Sequence, residues 1–151
     1  MRATTLGAAL LLATAGCGGA PVGLPTAQVT IDTASGPRIF NVEVAANRAS
    51  QQRGLMFRRE LAPSAGMLFD FHKAQSLSFW MKDTILSLDM LFIRSDGTIS
   101  TIASHTTPLS TAPIPSAEPV RAVLEINGGR AHELGISPGD KIHTSIFHND
   151  D

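Results

Sequence analysis

The stretch LDMLFIRSDG at residues 88–97 decides the fold. Both alternating faces of residues 88–93 are largely apolar, and Asp89 is their only charge. A strand that is apolar on both sides lies in the centre of a sheet or is wrapped in a barrel. Asp96-Gly97 is a dipeptide typical of a tight hairpin, so residues 98–105 are expected to return as the next strand. The segment therefore predicts an internal strand of a β-rich domain.

Apolar residues recur at every second position through much of the rest of the chain, which indicates strands. Two segments interrupt this alternation. In residues 47–54, Asn47 can cap a short helix and Gly54 can end it; residues 128–134 are expected to form a second short helix. The sequence thus predicts a mainly β domain, a small antiparallel barrel-like domain or sandwich with two short helices. Strands are expected at 29–31, 40–44, 67–71, 77–82, 88–93, 98–105, 120–126 and 141–147.

Residues 106–119 contain four prolines, at 108, 113, 115 and 119. Proline cannot donate to a sheet ladder, so this segment cannot be a central strand. We expect a long ordered loop or flap. Long loops in compact domains are often functional, but a solvated excursion is equally compatible with the sequence.

The first residues are typical of an export signal. One positive charge, Arg2, precedes an apolar stretch too short to span a bilayer, and small residues follow it. The sequence Ala15-Gly16-Cys17 resembles the bacterial lipoprotein cleavage box, although Thr14 stands where that box usually has Leu. We expect a signal peptide at 1–16 and lipidation of Cys17. The alternative is ordinary signal cleavage near residue 15 or 20.

The lipoprotein interpretation divides the chain into parts. A Gly/Pro-containing tether at 17–27 would connect the lipid to a single β domain at 28–147, with a frayed polar tail at 148–151. The acyl chains would anchor the protein to the membrane. Gly18 and Gly19, and not Asp, stand directly after Cys17, which resembles the pattern of lipoproteins sorted to the outer membrane, here at its periplasmic face. With ordinary cleavage, the protein would be soluble in the periplasm.

Composition excludes several classes of protein. A length of 151 residues favours one domain, and a single cysteine rules out an internal disulfide framework and a cysteine-built zinc site. The formal net charge of −1 argues against a nucleic-acid partner, which would favour a basic face. No motif of a nucleophilic hydrolase, a phosphate loop or a dinucleotide fold is present.

Four methionines, Met56, Met67, Met81 and Met90, remain after the predicted signal, together with scattered histidines. Soft thioether ligands select Cu(I), so copper has to be considered. The spacing lacks a compact ligand pattern, and three of the methionines lie on apolar strand faces. Core packing is the better interpretation. We expect no metal site and no cofactor.

The segment around the only tryptophan is the densest in chemically useful side chains. Trp80 and Lys82 point away from the apolar face of their strand, and Asp83 follows. We predict a ligand-binding site there under the 106–119 loop, made by the residues Arg53, Arg58, Trp80, Lys82, Asp83 and Asp89. The alternative is that Trp80 closes the end of a barrel and Lys82 is a solvated neighbour.

Asp89 and Glu125 interrupt apolar strands, and a buried unpaired carboxylate is costly. They could be an acid–base pair of a hydrolase-like enzyme. They could equally be structural carboxylates that pair with arginines such as Arg53 and Arg58.

An ordered set of short motifs resembles a known family. The motifs are RGLMFR at 53–58, GMLF at 66–69, FWMKDT at 79–84, LD at 88–89, FI at 92–93, VLE at 123–125 and GIxxGD at 135–140. Together they are similar to domain of unknown function family 192 (DUF192) over about residues 28–147. The resemblance implies a compact, mainly β domain, often behind a signal peptide or lipid anchor, and supplies no activity. Asp83 stands where the family usually has Asn, and Ser87 where it usually has Pro. The first departure puts in doubt any role that needs a neutral amide at residue 83.

These observations lead to three functional hypotheses. The first is an envelope lipoprotein whose domain binds a small ligand or another envelope component. The second is the hydrolase-like enzyme that uses Asp89 and Glu125. The third is a structural or assembly accessory.

Overall fold

The computed structural model describes residues 23–147. The predicted signal peptide at 1–16, the predicted lipidation site Cys17 and the predicted frayed tail at 148–151 lie outside the described residues. Two short helices are present, α1 (Arg48–Arg53) and α2 (Arg130–Leu134), and a 3₁₀ turn follows at Ser145–Phe147. The strands are β1 (Thr26–Thr33), β2 (Gly36–Ala45), β3 (Ala65–Gln75), β4 (Ser78–Phe79), β5 (Leu88–Ile93), β6 (Ile99–Ala103), β7 (Ile114–Pro115), β8 (Val120–Asn127) and β9 (Lys141–His143).

Seven of these strands form one curled half-barrel sheet, in the order β6-β5-β8-β3-β2-β1-β9. Its pairs are antiparallel except β2 and β3, which run parallel because the α1 segment carries the chain back to the same end. β4 and β7 pair separately. The predicted mainly β class with two short helices is therefore confirmed. Among the described residues, no helix is long and apolar enough to cross a membrane.

The predicted internal position of residues 88–93 is also confirmed. Every residue of β5 is buried, and β5 lies between β6 and β8. Side chains on opposite faces of the sheet enter two separate cores. Leu91 and Ile93 join the core shared with α2, whereas Leu88, Met90 and Phe92 join the core beside α1. Met67, Met81 and Met90 all pack in this second core, as the core interpretation of the methionines expected.

Element boundaries differ from the predictions, most clearly at three places. Of the strand expected at 77–82, only β4 forms, because its partner in the proline-rich loop is the two-residue β7. The last strand ends at His143 and gives way to the 3₁₀ turn. β1 begins at Thr26, so residues 26 and 27 of the expected tether pair with β2 instead.

The proline-rich segment 106–119 is an ordered loop fastened to residues 77–84. The Met81 amide donates to the Ser110 carbonyl, and the Leu109 amide donates to the Thr84 carbonyl, at 2.8 and 2.9 Å. The Ser116 amide donates to the Leu77 carbonyl at 2.8 Å. These bonds hold the 77–84 segment in place against the sheet.

Candidate functional site

A cavity of about 510 Å³ opens on the α1 side of the sheet. Its lining residues come from α1 and the residues just after it, from β3, β5 and β8, and from the 77–84 segment. This volume falls in the range of small-molecule sites. The lining residues are Arg48, Gln51, Gln52, Arg53, Gly54, Leu55, Met56, Phe69, Phe71, Leu77, Ser78, Phe79, Trp80, Met81, Lys82, Thr84, Leu88 and Glu125.

Aromatic rings form the cavity wall nearest the sheet. The Phe79 ring meets the Phe69 and Phe92 rings edge to face, with centroids 5.3 and 6.1 Å apart. Such edge-to-face packing is favourable and fixes the ring orientations. The end of α1 packs against these rings: its C-cap Gly54 has a φ of 47°, and a Cβ there would lie 3.2 Å from the Phe69 ring. Gly54 therefore allows α1 to approach this wall closely.

The mouth of the cavity is polar and positive. Arg48, Arg53 and Lys82 line it with exposed side chains, as does Trp80, which is 49% exposed. Two of these cations rest on aromatic rings. The Arg53 guanidinium lies 5.7 Å from the Phe57 centroid, and the Lys82 Nζ lies 5.4 Å from the Trp80 centroid. Cation–π contacts of this kind hold long side chains near a surface.

Among residues 23–147, Glu125 is the only carboxylate that lines the cavity. It is 4% exposed, and its strand neighbours are Met67 on β3 and Met90 on β5. Within residues 23–147, no hydrogen bond or ion pair reaches its carboxyl group. Burial removes the charged form from water and raises the pKa of Glu125 to about 8. A neutral, hydrogen-bonding acid therefore lies at the inner end of a largely apolar cavity.

Three of the six residues predicted to bind ligand meet at this cavity, namely Arg53, Trp80 and Lys82. The binding hypothesis requires a cavity beside a tryptophan that is not packed inside, and the structure has this arrangement. The alternation predicted for the segment is also present, since Met81 is buried while Trp80 and Lys82 are exposed.

Arg58 and Asp83 do not line the cavity. Arg58 pairs with Glu43 on β2, with 2.7 Å between Nη2 and the carboxylate, and this ion pair holds it at a different surface. Asp83 is a turn residue with a φ of 52°, and its carbonyl accepts the Phe57 amide at 2.9 Å. Asn and Asp both adopt this left-handed conformation more readily than other side chains, which accounts for an Asp at a position usually held by Asn.

Asp89 lies on the opposite face of the sheet from Glu125. In the β5–β8 ladder Asp89 pairs with Ile126 and Met90 pairs with Glu125, and successive side chains of a strand alternate between faces. The prediction that Asp89 and Glu125 work together as acid and base is therefore wrong. So is the placement of Asp89 in the binding site. Nor does either carboxylate pair with Arg53 or Arg58, as the structural alternative expected.

The Asp89 carboxylate instead binds backbone. It accepts the amides of His105, Gly129 and Ala131, each at 2.9 Å, and is fully buried. These three bonds satisfy a charge that would otherwise be very costly to bury. Its role in the described fold is to join β5 to the start of α2 and to the loop after β6.

The expected position of the 106–119 loop over the site is not observed. None of its residues lines the cavity, because the loop is bonded along residues 77–84 rather than across the mouth. Sequence reasoning also missed Arg48, Gln51 and the aromatic wall as site residues. The short helix predicted at 47–54 contains Arg48 and Arg53, but nothing in the sequence shows which core that helix covers.

Residues 23–147 contain no group of three or more His, Cys, Asp or Glu side chains placed to hold a metal ion.

The family model of DUF192, an uncharacterised ACR, matches residues 28–144. A crystal structure of a suggested transcription regulator from Sinorhizobium meliloti 1021 is 46% identical, with a TM-score of 0.81. That match covers 84% of this chain and 99% of the other. A protein of unknown function from Novosphingobium aromaticivorans DSM 12444 is 43% identical over 82% of this chain and 89% of its own, with a TM-score of 0.79. No curated protein matches.

Proposed function

The chain belongs to the uncharacterised DUF192 family, and we propose that its β domain is a binding module that holds a small ligand in the α1-side cavity. The observation that carries this proposal is the cavity itself, with apolar walls, a buried acid and exposed cations in one concave site. A large apolar pocket with a few convergent polar groups is the usual form of a ligand site.

The proposal includes export and anchoring. A signal at residues 1–16 and lipidation of Cys17 would place the module at the bacterial envelope, where its ligand would be an envelope component or a periplasmic small molecule. Support for this part comes from the sequence alone.

The role of transcription regulator suggested for the Sinorhizobium protein does not lead us to propose DNA binding for this chain. The net charge of this chain is −1, and a DNA-binding face would need a broad basic surface. The three cations at the cavity mouth are grouped around a concave site rather than spread over a face.

The experiment uses the fluorescent probe 1-anilinonaphthalene-8-sulfonate, an aromatic anion that suits an apolar cavity with a positive mouth. Trp80 is the only tryptophan, so its emission reports directly on the mouth. We expect saturable quenching of Trp80 with a stoichiometry of about one probe per chain, because the cavity has room for one small ligand. Native mass spectrometry of protein from its own envelope should show a bound adduct.

A blocking variant gives the control. Ser78→Tyr places a ring at the cavity mouth and should abolish saturable quenching, whereas Ser76→Tyr adds the same ring at an exposed position outside the lining. Circular dichroism must show native folding in both, since loosely packed states also bind this probe. Equal probe binding by both variants would contradict the proposal.

A further inference from the structure

The Glu125 carboxyl group lines the cavity from β8. It is buried on β8 between Met67 and Met90, and within residues 23–147 it has no hydrogen-bond partner. A polar group that is removed from water without a partner is destabilising. A bound ligand that brings its own polar group to this position removes that cost. The inner end of the cavity therefore selects for a hydrogen-bonding group on the ligand.

The mouth of the cavity selects for an anionic group on the ligand. Arg48, Arg53 and Lys82 bring three positive charges there, and no carboxylate among residues 23–147 pairs with them. Arg and Lys at a cavity entrance attract carboxylates and phosphates, and the planar guanidinium can bind either with two hydrogen bonds. An anionic group would be held at the surface, where its charge stays largely solvated.

Between the two ends the walls are apolar. The lining residues Leu55, Phe69, Met81 and Leu88 are buried, as Glu125 is, whereas the cations of the mouth are exposed. A ligand that spans the cavity needs an apolar body to match these walls, because burial of apolar surface supplies most of its binding free energy.

We infer that the ligand is an amphipathic acid: an anionic head between Arg48, Arg53 and Lys82, an apolar body against the aromatic wall, and an uncharged hydrogen-bonding group at the far end against Glu125. This inference rests on the proposed binding function and names the chemical class of its ligand.

The test compares four probes by isothermal titration calorimetry. 10-Hydroxydecanoate carries both polar ends, decanoate lacks the inner hydroxyl, 1,10-decanediol lacks the acid, and decyl phosphate replaces the carboxylate of decanoate. We expect 10-hydroxydecanoate to bind about tenfold more tightly than decanoate, which corresponds to one good hydrogen bond. Decanoate and decyl phosphate should each bind more tightly than the diol, which has no acid for the cations at the mouth. The affinity of both anions should fall as the salt concentration rises, whereas the affinity of the diol should not change.

Variants separate the two ends. Glu125→Leu should remove the preference for the hydroxyl and leave decanoate bound at least as tightly, whereas Glu125→Gln keeps a hydrogen-bonding group and should keep the preference. Arg53→Ala and Lys82→Ala should each weaken the acids by about threefold, as expected for exposed ion pairs, and leave the diol unchanged.

The inference is overturned if none of the probes binds, if the hydroxyl preference survives in Glu125→Leu, or if the diol shows the same dependence on Arg53 and Lys82 as the acids. Failure of the binding function itself looks different. In that case the fluorescent sulfonate also fails to quench Trp80 in wild-type protein and no native adduct is found.

Discussion

At the scale of single residues, Glu125 couples the stability of the domain to pH. Burial raises its pKa from 4.5 to about 8. Between these values the folded protein keeps a proton that the unfolded chain has lost. The folded state therefore binds more protons, and stability falls as pH rises across this window, with a slope of up to about 1.4 kcal/mol per pH unit.

We expect Glu125→Gln to remove most of this slope. The amide cannot ionise, so the free energy of unfolding of the variant should exceed that of wild type increasingly from pH 5 to pH 8, reaching a few kcal/mol. Urea unfolding at one-unit pH intervals measures the difference. Glu60→Gln, at an exposed glutamate, is the matched control and should run parallel to wild type. A Glu125→Gln curve parallel to wild type would show that Glu125 is not the group responsible.

The sequence singled out Asp89 and Glu125 alike as acids in apolar strands, but it misplaced Asp89 in the binding site. Both are single acids in apolar strands, and alternation alone says only that each faces away from its neighbours. Which core each face meets depends on the order of strands in the sheet. That order is set by long-range pairing of β5 with β8, and local sequence does not encode it.

At the scale of elements, Asp89 replaces a cap that α2 lacks. The N-cap residue of α2 is Gly129, which has no side chain to accept a hydrogen bond. Asp89 on β5 accepts the amides of Gly129 and Ala131 instead, and the amide of His105 as well. One carboxylate thus fixes a helix start, a strand and a loop relative to each other.

We expect Asp89→Ala to lower the free energy of unfolding by at least about 3 kcal/mol, because it leaves three backbone amides without their acceptor, two of them buried. Thermal and chemical unfolding measure the loss. Asp140→Ala is the control, since that side chain accepts one exposed amide, from Ser137, and its loss should cost about 1 kcal/mol. A loss in Asp89→Ala no greater than in the control would exclude the capping role.

Element types were largely predictable and element lengths were not. The turn residues and caps around α1 and the β5–β6 hairpin act locally, so the sequence carries them directly. β4 stops after two residues because its partner loop has Pro113 and Pro115 around Ile114. The extent of a strand depends on what its partner can donate, and the partner here is about 35 residues away in the chain.

At the scale of the whole molecule, the start of the described chain lies beside the cavity-side core. Leu24 packs against that core, and the Pro25 carbonyl accepts the Val44 amide at 2.7 Å. Val44 is near the end of β2, just before α1 and Arg48. A lipid on Cys17 would be eight residues from Pro25, and a chain of that length reaches at most about 28 Å. The proposed anchor would therefore hold the module, with its cavity, close to the membrane surface.

Replacing the attachment point tests this arrangement. We expect Cys17→Ser to abolish incorporation of an alkyne-tagged fatty acid and to move the protein from the membrane pellet to the soluble fraction. Stable anchoring needs two or more acyl chains, and the variant would carry none. Gly19→Ser, two residues further on, should keep the fatty-acid label and should remain in the membrane pellet.

In the isolated Cys17→Ser protein, the anilinonaphthalene probe should still quench Trp80 emission, since the cavity is built from residues 48–125. Absence of label from wild type would refute lipidation, and the pattern of label and binding together separates an anchored module from a soluble one.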